Sequence, residues 1–175
     1  MKQGHPTTKE HFPARPSRLF GALSWILFAI AFVPADSCIA NDWPQFLGPQ
    51  RNGISAETGL IDTWPANGPR EIWRTDGGIG MSGLAISGKT LATLIQRDGR
   101  QFVMALNANS GRPMWQTAVA PEYRNNMGAG PRATPTISNG KIYAFTGQGT
   151  LAALNLADGA LLWSRNLLQE LSGRP

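Results

Sequence analysis

Two stretches in the second half of the chain are copies of one another. Ala105-Leu106-Asn107-Ala108-Asn109-Ser110-Gly111-Arg112-Pro113-Met114-Trp115 returns as Ala153-Leu154-Asn155-Leu156-Ala157-Asp158-Gly159-Ala160-Leu161-Leu162-Trp163. The offset is 48 residues, from Trp115 to Trp163. Each copy reads as a strand, a tight turn and a second strand ending in Trp. A period of this length belongs to β-modules that stack on one another, since one such module cannot cover its own apolar faces.

The second module is the clearer one. Thr134-Pro135-Thr136-Ile137 reads as a first strand, and Asn139-Gly140 as a two-residue hairpin turn in which both positions tolerate φ > 0. Lys141 to Phe145 is a second strand, Gly147-Gln148-Gly149 turns, and Thr150 to Asn155 is a third. Ala157-Asp158-Gly159 turns again into a fourth strand, Ala160 to Arg165. The product is a four-stranded antiparallel meander, the unit of a propeller blade.

The first module repeats this plan over Leu84 to Ser87, Lys89 to Gln96, Gln101 to Asn107 and Arg112 to Val119. Its second turn, Arg97-Asp98-Gly99-Arg100, is longer, so Gly88 and Gly140 lie 52 apart. Trp73, in Glu71-Ile72-Trp73-Arg74, sits 42 residues before Trp115 and matches the end of a fourth strand without its first three. The predicted fold is all-β. It is a partial β-propeller of two four-stranded antiparallel blades (84–119 and 133–165), with a lone outer strand over 71–75 and an inter-blade linker over 166–175.

Composition agrees. Gly and Pro together supply 33 of 175 residues and charged residues 15%, which suits a turn-rich β protein. Residues 41–70 carry Pro44, Gly48, Pro49, Gly53, Pro65, Gly68 and Pro69, too many breakers for a helix. Trp43, Phe46, Leu47 and Trp64 are expected to anchor this stretch as an extended amino-terminal arm packed on the first module. Residues 41–175 hold 12 Lys and Arg against 9 Asp and Glu, scattered singly. No stripe for nucleic acid is visible.

The first 40 residues read as a signal peptide. A polar, basic stretch ends at Arg18, and Leu19 to Val33 is an unbroken run of 15 uncharged, largely apolar residues. Pro34 breaks it, and Cys38-Ile39-Ala40 offers small residues for cleavage after Ala40. The run is short for a spanning helix, which needs about 20 apolar residues. Ala35-Asp36-Ser37-Cys38 is a poor lipoprotein site, with Asp inside it and no Leu at the start. The expected location is the periplasm or cell envelope, with membrane contact only through the signal segment during export. Cleavage also removes Cys38, His5 and His11, which are the only Cys and His residues. A disulfide, a Cys or His zinc site, a Cys nucleophile and a Ser-His-Asp triad are then excluded.

The repeat residues resemble those of the PQQ-like (pyrroloquinoline-quinone-type) propeller family, whose motif is roughly A-x-D-x-x-T-G-x-x-x-W. Ala105, Asn107, Ser110, Gly111 and Trp115 match one copy; Ala153, Asn155, Asp158, Gly159 and Trp163 match the other. Both have Asn where the family usually has Asp, and neither has the Thr. Asp42-Trp43-Pro44-Gln45-Phe46-Leu47-Gly48-Pro49 and Gly130-Pro131-Arg132-Ala133-Thr134-Pro135-Thr136 also resemble secreted members of the family. Such propellers have seven or eight blades, so the chain reads as an amino-terminal fragment, about the first third of a ring. The motif residues dock blades; Trp73 is expected to do the same.

Two functions follow from the resemblance. One is a non-catalytic scaffold of the envelope, similar in repeat type to the propeller of outer-membrane protein assembly, with an envelope protein or peptide as partner and no cofactor in this fragment. The other is the amino-terminal part of a quinoprotein alcohol or sugar dehydrogenase, which the resemblance would equip with PQQ and Ca²⁺. The absence of any carboxylate constellation among Glu57, Asp62, Glu71 and Asp76 favours the first. Gly78-Ile79-Gly80-Met81-Ser82-Gly83 matches G-x-G-x-x-G, but a strand and not a helix is predicted next, so a flexible blade entry is expected instead of a dinucleotide site. The longest inter-module connection holds Glu122, Tyr123, Arg124, Asn125 and Asn126, and is the expected partner-binding loop.

Overall fold

The computed structural model describes residues 41–173. The signal segment expected over 1–40, with Cys38 and both histidines, lies outside the described residues.

Two antiparallel sheets carry the fold. In the first, β1 (Ala85–Ser87), β2 (Thr90–Arg97), β3 (Arg100–Asn107) and β4 (Pro113–Pro121) lie side by side in chain order. A short hairpin of β5 (Arg124–Asn125) and β6 (Gly128–Ala129) follows. In the second sheet β7 (Thr136–Ser138), β8 (Lys141–Phe145), β9 (Thr150–Asn155) and β10 (Leu161–Asn166) repeat the meander, and one helical turn, α1 (Leu167–Glu170), ends it. These are two consecutive blades of a β-propeller.

Register corrects the turn expected in the first blade. β2 and β3 pair without a break from Thr90↔Asn107 to Arg97↔Arg100, so the turn is only Asp98-Gly99. Both residues have positive φ, 49° and 70°, as a two-residue hairpin turn of the primed kind requires. The extra length of this module therefore lies in its strands. The pairs Ser87↔Thr90 and Ser138↔Lys141 also make Gly88 the counterpart of Asn139, not of Gly140. β7 starts after Pro135, which has no N–H to give a ladder.

Pleating sends alternate side chains to opposite faces. Ala85, Ala92, Leu94 and Val103 on one face of the first blade meet Ile137, Ile142, Ala144, Ala152 and Leu154 of the second, and all are buried. This shared layer holds the blades together; each buried Leu, Ile or Val in it contributes about 1.5–3 kcal/mol. Leu91, Ile95, Met104 and Leu106 fill the other face of the first blade. β2 is thus covered on both sides, which explains its run Leu91-Ala92-Thr93-Leu94-Ile95 with no polar alternation.

Among the described residues the segment 71–75 has no ladder partner. Its Trp73 packs on the outer face of the first blade, against Leu91, Ile95, Met104 and Leu106. The linker after β10 includes α1, whose first turn is capped by Asn166: its Oδ1 accepts from Gln169 N at 3.0 Å. Arg165 and Glu170 pair on the exposed side. The hydrogen bond to Glu170 and then its charge raise the Arg165 guanidinium above its ordinary value.

The arm is held at one place rather than several. Trp43 and Ile86 exchange two backbone hydrogen bonds of 2.9 Å, and Pro44 O accepts from Ile137 N at 2.7 Å. The arm thereby touches the edge strands β1 and β7 of both blades. Its remaining apolar residues do not anchor it: Phe46 and Trp64 are 67% and 62% exposed, and Leu47 is also exposed. Successive tight turns, closed by Gly48 N to Gln45 O, Arg51 N to Gly48 O and Gly53 N to Leu47 O, coil residues 45–53 on themselves and leave Phe46 and Leu47 on the outside.

Candidate functional site

One device recurs between neighbouring elements: an aromatic ring laid over a glycine. Trp73 covers Gly111 and donates its indole N–H to Ala108 O at 2.9 Å. Trp115 covers Gly159 and donates to Leu156 O at 3.1 Å. A Cβ on either glycine would penetrate the indole ring. So these glycines do two things. Their φ of 66° and 72° closes the turn, and their missing side chain is the seat of the ring. Thr117 adds a hydrogen bond from Oγ1 to Gly159 O at 2.7 Å.

The two turns share their chemistry. Gly111 N and Gly159 N donate to Asn107 O and Asn155 O. The Asn107 amide oxygen accepts from Asn109 N at 3.1 Å and the Asn155 amide oxygen from Ala157 N at 2.9 Å. Asn thus serves as the acceptor that a family Asp would be. Ala105 and Ala153 pair with Trp115 and Trp163 and are fully buried. Trp163 is different. It is 41% exposed, no glycine seats it among the described residues, and its ring meets Tyr143 at 6.2 Å between centroids.

The Gly78–Gly83 motif leads into β1, so it offers no helix amides to a pyrophosphate. It is also pinned. Ile79 and Gln96 exchange backbone hydrogen bonds, Met81 N donates to Pro131 O at 2.8 Å, and Ser82 Oγ donates to Ala133 O at 2.8 Å. The segment is a seam between the blades.

The inter-blade connection is a folded hairpin. Arg124↔Ala129 and Asn125↔Gly128 pair, and Gly130 N donates to Tyr123 O. Tyr123 N donates to Gln96 Oε1 at 2.7 Å, and the Tyr123 ring lies over Gly147 of the second blade. Asn125 Nδ2 donates to Tyr123 OH at 3.0 Å, while Asn125 Oδ1 accepts from Met127 N and from Arg132 Nη2, the latter at 2.7 Å. Glu122, Arg124, Asn126 and Met127 face solvent. Of the residues expected in a partner-binding loop, Tyr123 and Asn125 are engaged in holding the hairpin, and Glu122, Arg124 and Asn126 are displayed by it.

Three residues outside that expectation matter to the site. Gln101 is fully buried in β3 and donates from Nε2 to Pro121 O and to Gln148 Oε1, both at 2.7 Å. Gln148 Nε2 in turn donates to Glu122 O at 2.6 Å. This pair staples the start of the hairpin to the second blade. Arg132 lies under the hairpin, its Cζ 5.7 Å from the Tyr123 ring centroid, and its Nη2 also donates to Gly128 O at 3.1 Å. The only signal for Gln101 is a buried-strand position given to a polar residue just before the apolar run Phe102 to Leu106. For Arg132 it is a lone cation in a run of Gly, Pro, Ala and Thr.

The family of outer membrane protein assembly factor BamB matches residues 59–174. The chain belongs to this family. BamB from Yersinia pestis is 31% identical over 140 residues, 73% of this chain and 34% of the relative. BamB from Moranella endobia is 35% identical over 78 residues, 43% of this chain and 20% of the relative. The chain thus spans about a third of the length of the Yersinia BamB. Among solved structures, BamB from Moraxella catarrhalis aligns at 25% identity and a TM-score of 0.39, over 49% of this chain and 24% of that one. A europium-containing methanol dehydrogenase aligns at 22% and 0.40, over 52% and 16%.

The resemblance of the repeats to the PQQ-like motif raises the question of a quinone and its Ca²⁺. Calcium takes six to eight oxygen ligands, several of them carboxylates. No three Asp, Glu, His or Cys side chains converge among the described residues. Trp73 and Trp115 each lay a ring face on a glycine, whereas Trp163 and Trp64 are exposed.

Proposed function

We propose that this BamB-family chain is a non-catalytic scaffold of the bacterial cell envelope that binds protein partners during outer-membrane assembly. The observation that carries this reading is the inter-blade hairpin. It is fixed at its base by Gln101, Gln148 and Tyr123 and presents Glu122, Arg124, Asn126 and Met127 outward. A rigid, mixed-charge projection suits recognition of a protein surface, because little ordering entropy is lost on docking. Family membership and the names of the relatives support the same reading. No helix among the described residues is long and apolar enough to cross a membrane. The dehydrogenase reading has no comparable support in the donor set.

The test is site-specific photocrosslinking in the native host, with the photoreactive residue at Arg124 or Asn126. Crosslinks to an outer-membrane assembly protein, with lower levels of folded outer-membrane proteins when the gene is deleted, are expected. Quinone absorbance together with dye reduction after reconstitution with PQQ and Ca²⁺ would overturn the reading.

A further inference from the structure

Among the charged groups of the described residues, Arg132 alone has a buried polar atom without a partner. Its Nε is buried and has no acceptor, and its Nη1 makes no hydrogen bond. The ion pairs present, Arg74 with Glu71 and Arg165 with Glu170, leave it without a carboxylate. Native proteins rarely leave buried donors unmet, so each exception calls for a cause. Gln101 Oε1 is the other such atom, but it sits inside the staple between the blades.

Arg132 borders a cavity of about 340 Å³, walled by Tyr123, Phe145, Thr146 and Leu168. Volumes from about 300 Å³ upward are typical of small-molecule sites. The cavity is chemically two-sided. One side is the guanidinium, its Cζ 5.7 Å from the Tyr123 ring centroid and its Nη2 held by Asn125 Oδ1 and Gly128 O. The other is apolar: Leu168 and Phe145, the latter 43% exposed at the end of β8. Asn125 is itself fixed by Tyr123 OH and Met127 N, so the guanidinium is positioned before any ligand arrives. Nη2 spends both its hydrogens on Asn125 Oδ1 and Gly128 O, which leaves Nη1 to give an anion a single charge-assisted hydrogen bond.

We infer that this cavity binds a carboxylate carried on an apolar or aromatic body, with Arg132 holding the acid and Phe145 and Leu168 covering the body. The source is either a small organic acid or the carboxyl end of a partner peptide. Only the choice of source rests on the scaffold reading; the site does not.

The full chain is titrated with sodium 3-phenylpropionate, followed by calorimetry and by amide NMR shifts, with 3-phenylpropionamide as the neutral match. The acid should saturate and bind at least about tenfold more tightly than the amide, as one charge-assisted pair implies. Arg132→Gln should erase that preference and Arg132→Lys keep part of it. Phe145→Ala, at an exposed position, should weaken acid and amide equally while leaving the thermal midpoint in place. A second arm compares acetyl-Gly-Gly-Leu-Phe with a free or an amidated end. Tighter binding of the free-acid peptide than of 3-phenylpropionate assigns the site to a peptide terminus; the reverse order assigns it to a small acid. Equal binding of acid and amide, or no saturation by about 10 mM, overturns the inference. Failure of the crosslinking experiment with acid binding intact would remove the scaffold reading alone.

Discussion

Gly159 and Gly140 form a matched pair for measuring what an indole seat is worth. Their φ values are 72° and 69°, so placing Ala at either costs the same backbone strain, about 1–2 kcal/mol. Their surroundings differ. A Cβ at Gly140 meets nothing within 4 Å, whereas at Gly159 it falls 2.5 Å from Trp115 Cδ2 and 2.9 Å from Thr117 Oγ1. Relieving that overlap means lifting Trp115. Overpacking of this kind costs about 1–3 kcal/mol. Losing the 3.1 Å bond to Leu156 O costs about 0.5–1.5 more. Gly159→Ala should therefore exceed Gly140→Ala by about 1.5–4.5 kcal/mol. Urea unfolding followed by tryptophan fluorescence reads the difference as a shift in midpoint at constant slope. The double variant supplies the control: in a Trp115→Ala background most of the excess at Gly159 should disappear, leaving only the contact with Thr117 Oγ1. Equal losses at the two glycines, or an excess undiminished without the indole, would refute the reasoning.

The same logic separates Trp73 from Trp163. Trp73→Ala should cost about 2–3 kcal/mol by thermal unfolding, since a half-buried ring and its bond to Ala108 O are lost. Trp163→Ala, 41% exposed and unseated, should cost under about 1 kcal/mol in the same assay. Gln101→Ala should cost about 2 kcal/mol and speed amide exchange through Glu122–Ala129, because its bonds to Gln148 and Pro121 fix the hairpin base. Asn125→Ala should leave stability within about 1 kcal/mol yet weaken 3-phenylpropionate, since Arg132 loses its 2.7 Å restraint.

The blades were legible because their signals are local. Asn139-Gly140 and the alternation of Lys141 to Phe145 fix a hairpin within a few residues, and β8 and β9 have the bounds the sequence implies. The Trp and Gly positions were legible as a period. A period does not say whether a Trp meets the glycine of its own repeat or of the next, and only three-dimensional stacking pairs Trp73 with Gly111 and Trp115 with Gly159. The arm misled for a related reason. Phe46, Leu47 and Trp64 carry a preference for burial, but composition names no partner, and the turns of 45–53 leave Phe46 and Leu47 outside. Gln101 and Arg132 escaped notice because each takes its meaning from groups distant in sequence or from a missing acceptor. In the sequence alone each is an ordinary polar residue.

The contact of the arm with two blades at once bears on how the molecule comes apart. Arrays of repeats behave as nearly one-dimensional chains, and a terminal unit can melt while its neighbour stays folded. Trp43 on Ile86 and Pro44 on Ile137 bridge that division. If the first blade opens, the bridge loses two of these three backbone bonds, and if the second opens it loses one. The clip therefore adds a link through the chain's own amino-terminal arm to the coupling that the shared core layer already gives the two blades.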